Sequence, residues 1–169
     1  PCPEGKGILV SKHHSDTRFH DSMHVLRRPP SRPTLPAFSW GETQTIERPY
    51  FTVTDAKMGR GIVAAIPFIG EQLKREILDE QGIHPDQISL LATNAAFSWY
   101  SPVLSKVFGI PMERVEDNVA SFSNMGTVNL PMNLYLARKK QRLKDGELVL
   151  LVGHGGGLSY GGILMRWHQ

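Results

Sequence analysis

Cysteine is nearly absent from this chain of 169 residues: Cys2 stands alone. A single thiol excludes an internal disulfide and suits a reducing compartment. No apolar run approaches the ~18 residues needed to cross a bilayer. The opening residues lack the charged and apolar blocks of a signal peptide. A cytoplasmic protein with no membrane association is therefore the expectation. Net charge is also scarce, at +3 with the histidines neutral. So mild an excess does not suggest a nucleic-acid binder, although it tolerates a phosphate-bearing partner. Zinc-type spacing is missing too. His13, His14, His20 and His24 match no standard ligand pattern and have no cysteine beside them, so no metal is expected. The chain starts at Pro1 rather than Met, which leaves open a removed initiator or a cut precursor.

What is present is ordinary for a folded domain: 40% apolar and 21% charged residues. Proline is distributed unevenly. Pro1, Pro3, Pro29, Pro30, Pro33, Pro36 and Pro49 crowd the first third, so Arg27–Trp40 is expected to be an irregular surface excursion. Gly7–Val10 reads as the end of a strand, with the His-rich segment after it leading outward. Phe51–Thr54 reads as a short strand. Apolar residues recur with helical period from Ile62 to Leu78, predicting a helix over Gly61–Gln81 that Pro67 kinks or starts and Gly82 stops. Strands are expected at Ile88–Ala92, Val115–Val119, Leu148–Val152 and Leu158–Trp167. Further helices are expected at Phe97–Gly109 and Leu130–Leu143. The alternation of continuous apolar strands with amphipathic helices argues for a layered α/β fold.

The final third carries the most specific pattern. Lys144-Asp145-Gly146 makes a turn, Leu148–Val152 a buried strand, and Gly155-Gly156-Gly157 a glycine loop before a last strand with Tyr160 and Gly161. Upstream lie a strand ending near Thr93, the turn Gly109–Val115, and the segment Phe122–Pro131. This ordered string resembles the ketoacyl-ACP synthase III family of thiolase-like condensing enzymes and acyltransferases. The resemblance covers roughly Gly5–Trp167 and is weakest in the proline-rich region. It implies the C-terminal half of an α-β-α-β-α sandwich with a mixed five-stranded sheet. Residues 1–49 would be the tail of an N-terminal half plus the excursion, and residues 50–169 the C-terminal domain.

The same resemblance implies where the site lies. The family's catalytic histidine falls at Asn94, a departure, because an amide can donate a hydrogen bond but cannot titrate near neutral pH. The family's catalytic asparagine falls at Asn124, in Phe122-Ser123-Asn124; a bland alternative is that Asn124 caps a turn. Gly155, Gly156 and Gly157 match the loop that offers a backbone N–H to an oxyanion. His154 stands where a bulky apolar residue is usual. It either faces the pocket as a base or only fills the space of an aromatic ring. Trp99 and Lys106, on the helix after Asn94, match positions near the substrate entrance, and Trp99 serves equally well as core. The basic run Arg138–Arg142 is either a carrier contact or a solvated helix face.

The nucleophilic cysteine belongs to the family's first half, and Cys2 is misplaced for it. The resemblance therefore implies acyl transfer or carbon–carbon condensation on an acyl-CoA or acyl carrier protein thioester, with no permanently bound cofactor. The cysteine would come from a separate or cleaved N-terminal half, within a homodimer of two-half units. The rival expectation is a non-catalytic partner subunit of a ketosynthase-like heterodimer. The resemblance implies fatty acid or polyketide biosynthesis, and the altered site points to secondary metabolism.

Overall fold

The computed structural model describes residues 5–19, 23–27, 49–53, 56–94 and 97–168. The expected excursion after Arg27, together with Cys2 and His20, lies outside them. A sheet in the order β1-β7-β6-β4-β5 organises the molecule. Its strands are β1 (Gly7–Ser15), β4 (Ile88–Thr93), β5 (Val115–Glu116), β6 (Leu148–Gly155) and β7 (Ser159–Arg166). β4 runs parallel to β5 and β6, whereas β7 is antiparallel to both β6 and β1, so the sheet is mixed. A separate antiparallel pair joins β2 (Met23–Arg27) to β3 (Pro49–Val53). The helices are α1 (Ala56–Ile77), α2 (Tyr100–Phe108), the single turn α3 (Val119–Phe122) and α4 (Asn129–Lys139).

Helices cover both faces of the sheet. Leu148, Leu150 and Val152 alternate toward α1 and α2, where they join Ile66, Leu73, Leu104 and Phe108 in the larger apolar cluster. Val149 turns to the opposite face and packs with Leu90, Ala137 and Leu143. Burial on both faces is why β6 reads as an unbroken apolar run. Each fully buried Leu or Ile here contributes roughly 1.5–3 kcal/mol from the removal of apolar surface from water.

α2 opens at Tyr100 rather than Phe97, α4 ends at Lys139 rather than Leu143, and three further expected elements change. The long helix starts at Ala56, five residues before the expected Gly61, and ends at Ile77. Pro67 neither starts nor stops it, because Pro67 lies on the exposed side. The carbonyl it leaves without a helical donor belongs to Val63, which is also exposed, so water can satisfy it. The expected strand Val115–Val119 is only Val115–Glu116, and Val119 opens α3. The outward segment after Val10 instead continues as β1 through His13 and His14 to Ser15. As an edge strand it alternates exposure and needs no apolar run to pair with β7.

The basic run is partly occupied. Glu116 is buried (2% exposed) at the end of β5 and binds Lys140 Nζ and Arg142 Nη1, each at 2.5 Å. Arg142 also donates through Nη2 to the Glu113 carbonyl. Lys140 and Arg142 therefore tie the end of α4 to β5, and Arg138 and Lys139 remain at the surface.

Candidate functional site

Asn94 follows the last residue of β4, and its backbone N–H prolongs the ladder by donating to the Val152 carbonyl (3.2 Å). Neighbouring bonds hold this corner. Thr93 Oγ1 and Ser101 Oγ share a bond of 2.7 Å, and Asn133 on α4 donates to the Thr93 carbonyl at 2.9 Å. Asn94 is 7% exposed. Its Nδ2 donates to the His154 carbonyl at 2.6 Å. A carbonyl only accepts, so this bond fixes which end of the amide is nitrogen. Oδ1 is left buried with no protein partner. The expectation was a donor presented for chemistry. The structure instead engages the donor and leaves the acceptor buried and unpaired.

Beside this amide lies a trough of about 360 Å³ on the α4 side of the sheet, bordered by Asn94, Leu130, Leu151, Gly153, Ile163 and His13. A larger hollow of about 530 Å³ lies at the other end of α4, around Arg138 and Lys144. The smaller trough is the candidate site, because Asn94 and the glycine loop border it.

His154 also borders this trough, although its ring packs against Tyr100. Alternation along β6 puts it on the face of Leu150 and Val152, where its ring centre is 4.8 Å from that of Tyr100. Its Nδ1 is buried without a partner, and burial lowers the imidazole to about 4, so it is neutral at neutral pH. Burial likewise pushes the Tyr100 phenol up. The ring therefore lies beside Tyr100, and its Nδ1 makes no backbone hydrogen bond.

Gly155 ends β6 opposite Ser159, and Gly156 to Leu158 make the turn. Gly157 has φ +120°, which a side chain would strain. Buried Leu158 exchanges two backbone bonds with Asp16 (2.7 and 3.0 Å), anchoring the glycine turn beyond the end of β1.

Asn124 is exposed and does not border the trough. Its Oδ1 accepts from the Gly126 N–H at 2.8 Å, an Asx turn, so the capping alternative describes its contacts. Sequence reasoning missed Asn129, the fully buried residue that braces this loop. Its Oδ1 accepts from Met125 N–H, and its Nδ2 donates to Asn118 Oδ1 and the Ser123 carbonyl. An asparagine at the start of an amphipathic helix was its only signal. Trp99 stacks on Phe97 (5.3 Å, 6°) and packs against the larger core cluster. Lys106 is exposed in the last turn of α2, roughly 9 Å along the helix from Tyr100, and does not border the trough.

His13 was also missed as a site residue, since its segment reads as a polar loop. Within β1 it points to the trough side. His14 points to the other face and bonds Glu76 at 2.7 Å, in a cluster with Gln72 and Tyr160. Burial alone would raise the Glu76 carboxyl, but the bonds from Gln72 and His14 outweigh it and hold it below the usual range. No group of three metal-ligating side chains occurs among the described residues.

Comparison with known proteins gives this geometry a family. Residues 78–167, more than half of the chain, match the family described as 3-oxoacyl-[acyl-carrier-protein (ACP)] synthase III C terminal. The β-ketoacyl-[acyl-carrier-protein] synthase III of Aquifex aeolicus is 32% identical over 97 residues, 57% of this chain and 31% of that protein. The Desulfotalea psychrophila enzyme of the same name is 30% identical over 162 residues, 96% of this chain and 47% of that protein. The chain thus spans less than half the length of these relatives. Among solved structures, the A. aeolicus 3-oxoacyl-[acyl-carrier-protein] synthase III superposes with a TM-score of 0.77 at 22% identity, covering 99% of this chain and 46% of that one. Xanthomonas campestris OleA, bound to cerulenin, gives 0.68 at 17% identity, covering 92% and 38%. Both likenesses concern the fold, an α/β thiolase-type architecture with the mixed sheet described above. The chain belongs to the 3-oxoacyl-[acyl-carrier-protein] synthase III family, a family of condensing enzymes, and carries that family's C-terminal region.

Proposed function

We propose that this chain is the C-terminal half of a synthase-III-like enzyme that transfers an acyl group from a coenzyme A or acyl carrier protein thioester, or condenses it with a second carbon unit. The cysteine that takes up the acyl group comes from an N-terminal half, carried on a separate or cleaved chain or as a preceding segment. The carrying observation is the corner after β4. Asn94 holds the family's histidine position, is buried, and borders a trough beside the glycine turn with one polar atom unengaged.

The trough supports the need for a second half, because its apolar floor of Leu151 and Ile163 stands open on the α4 side. The completed unit works in the cytoplasm as a homodimer, with no permanently bound cofactor. Two observations favour a second reading, a non-catalytic partner subunit: the His154 ring packs against Tyr100, and Asn124 is engaged in its own turn.

Intact mass spectrometry of the complete protein with a panel of acyl-CoA donors separates the two. An acyl mass on a cysteine of the N-terminal half supports the enzyme. Assembly of the halves without acylation supports the non-catalytic subunit.

A further inference from the structure

Helix α1 carries a second apolar strip, on the face of the sheet opposite α4. Its inner side, with Ile62, Ile66 and Leu73, is buried in the larger cluster. Its outer side shows Val63 and Phe68, 42% and 77% exposed, with Ala64 and Pro67 exposed between them. Phe68 is the most exposed large apolar side chain among the described residues. The N-terminal half, assigned above to the open trough on the α4 side, does not cover this strip. Charges frame it. Arg60 stands one turn before it and Glu71 one turn after it, both exposed. Neither side chain has a hydrogen-bond or ion-pair partner among the described residues. Farther out, Lys57 and Arg75 are already engaged, Arg75 with Glu76 at 3.9 Å.

The order of these residues decides what fits. Arg60 with Glu71, Val63 with Phe68, and Ala64 with Pro67 all share one midpoint, between Ala65 and Ile66. At 3.6 residues per turn, Arg60, Ala64, Pro67 and Glu71 fall within about 60° around the helix, with Val63 on one flank and Phe68 on the other. Such a strip complements itself when a second copy lies antiparallel to it. We propose that the outer strip of α1 is a two-fold contact between two copies of this chain. Arg60 of each copy faces Glu71 of the partner subunit, so opposite charges meet at both ends. Ala64 faces Pro67 of the partner subunit at the centre, where small side chains let the helices approach to about 8–10 Å. The two Phe68 rings meet across the axis on one flank. Interfacial water serves the Val63 carbonyl that Pro67 leaves free. A single helix strip buries less than the roughly 800 Å² per partner of a standard interface, so the contact is reversible and adds to any other that holds the assembly. It does not depend on the acyl-transfer reading.

Sedimentation equilibrium of the complete protein, N-terminal half included, tests the contact with paired charge swaps. Wild-type protein is expected to double its mass reversibly as its concentration rises. Arg60→Glu and Glu71→Arg each set like charges against one another at both ends, and each is expected to weaken that step about tenfold or more. Mixed in equal amounts, the two variants again bring opposite charges together at both ends. Association of the mixture is expected to return to near the wild-type constant, which misfolded variants could not do. Phe68→Ala should weaken the step as well. Wild-type protein that shows no such step overturns the proposal. So do single swaps that associate as the wild type does, and so does a mixture that stays as weak as its components.

Discussion

Replacing Ser123 with glycine should make this protein more stable. Ser123 has φ 62° and ψ −166°, a region that glycine enters freely and other residues almost never do. Its surroundings force it there. Its N–H ends α3 on the Val119 carbonyl at 2.8 Å, and its own carbonyl receives Asn129 Nδ2 at 3.2 Å. Both bonds are backbone contacts on the Ser123 side, so glycine would keep them. Such strain costs about 1–3 kcal/mol. The extra freedom of glycine in the unfolded chain takes back roughly 0.5–1 kcal/mol. Ser123→Gly should therefore gain about 1 kcal/mol, with a corresponding rise in Tm. Urea and thermal denaturation of the complete protein measure it. Ser121→Gly is the control, since Ser121 is exposed within helical α3. It should lose about 0.5 kcal/mol. If Ser123→Gly destabilises as much as the control, the strain argument is refuted.

Burial of His154 predicts a pH dependence. Its folded value of about 4 lies below the ordinary 6.5, so the unfolded chain binds more protons between those values. Stability is full above pH 6.5 and falls as pH drops toward 4, by up to about 3 kcal/mol. His154→Phe should flatten that slope, read by urea midpoints at pH 5 and pH 7.5. Glu116→Ala should cost about 2–4 kcal/mol, because it strips the buried member from a charge cluster. Lys140→Ala should cost less, since that ammonium is half exposed, and an equal loss in equilibrium denaturation would contradict the clamp.

The layered α/β order was legible because the core elements are strongly periodic. Ile62, Ile66, Ile69, Leu73 and Ile77 repeat at helical spacing, and Leu148–Val152 is apolar on every residue. Edges were harder. β1 is half exposed, so the polar pair His13-His14 looked like departure from the sheet rather than alternation across it. Pro67 looked like a boundary because local sequence does not say which helix face is wet. The short β5 depends on Glu116, whose burial makes sense only with Lys140 and Arg142 folded back onto it.

By itself, the sequence determined the family's C-terminal pattern and put Asn94 at the end of a buried strand, since strand register and the glycine turn are local properties of the chain. Only the tertiary structure decided what these residues present. A strand apolar on both faces does not announce which side His154 takes, and packing against Tyr100 assigns it to the α1–α2 side. The direction of the Asn94 amide rests on a carbonyl 60 residues away in the chain. The row from Gly153 through Gly161 to His13 exists because three strands align there, and no stretch of sequence contains it.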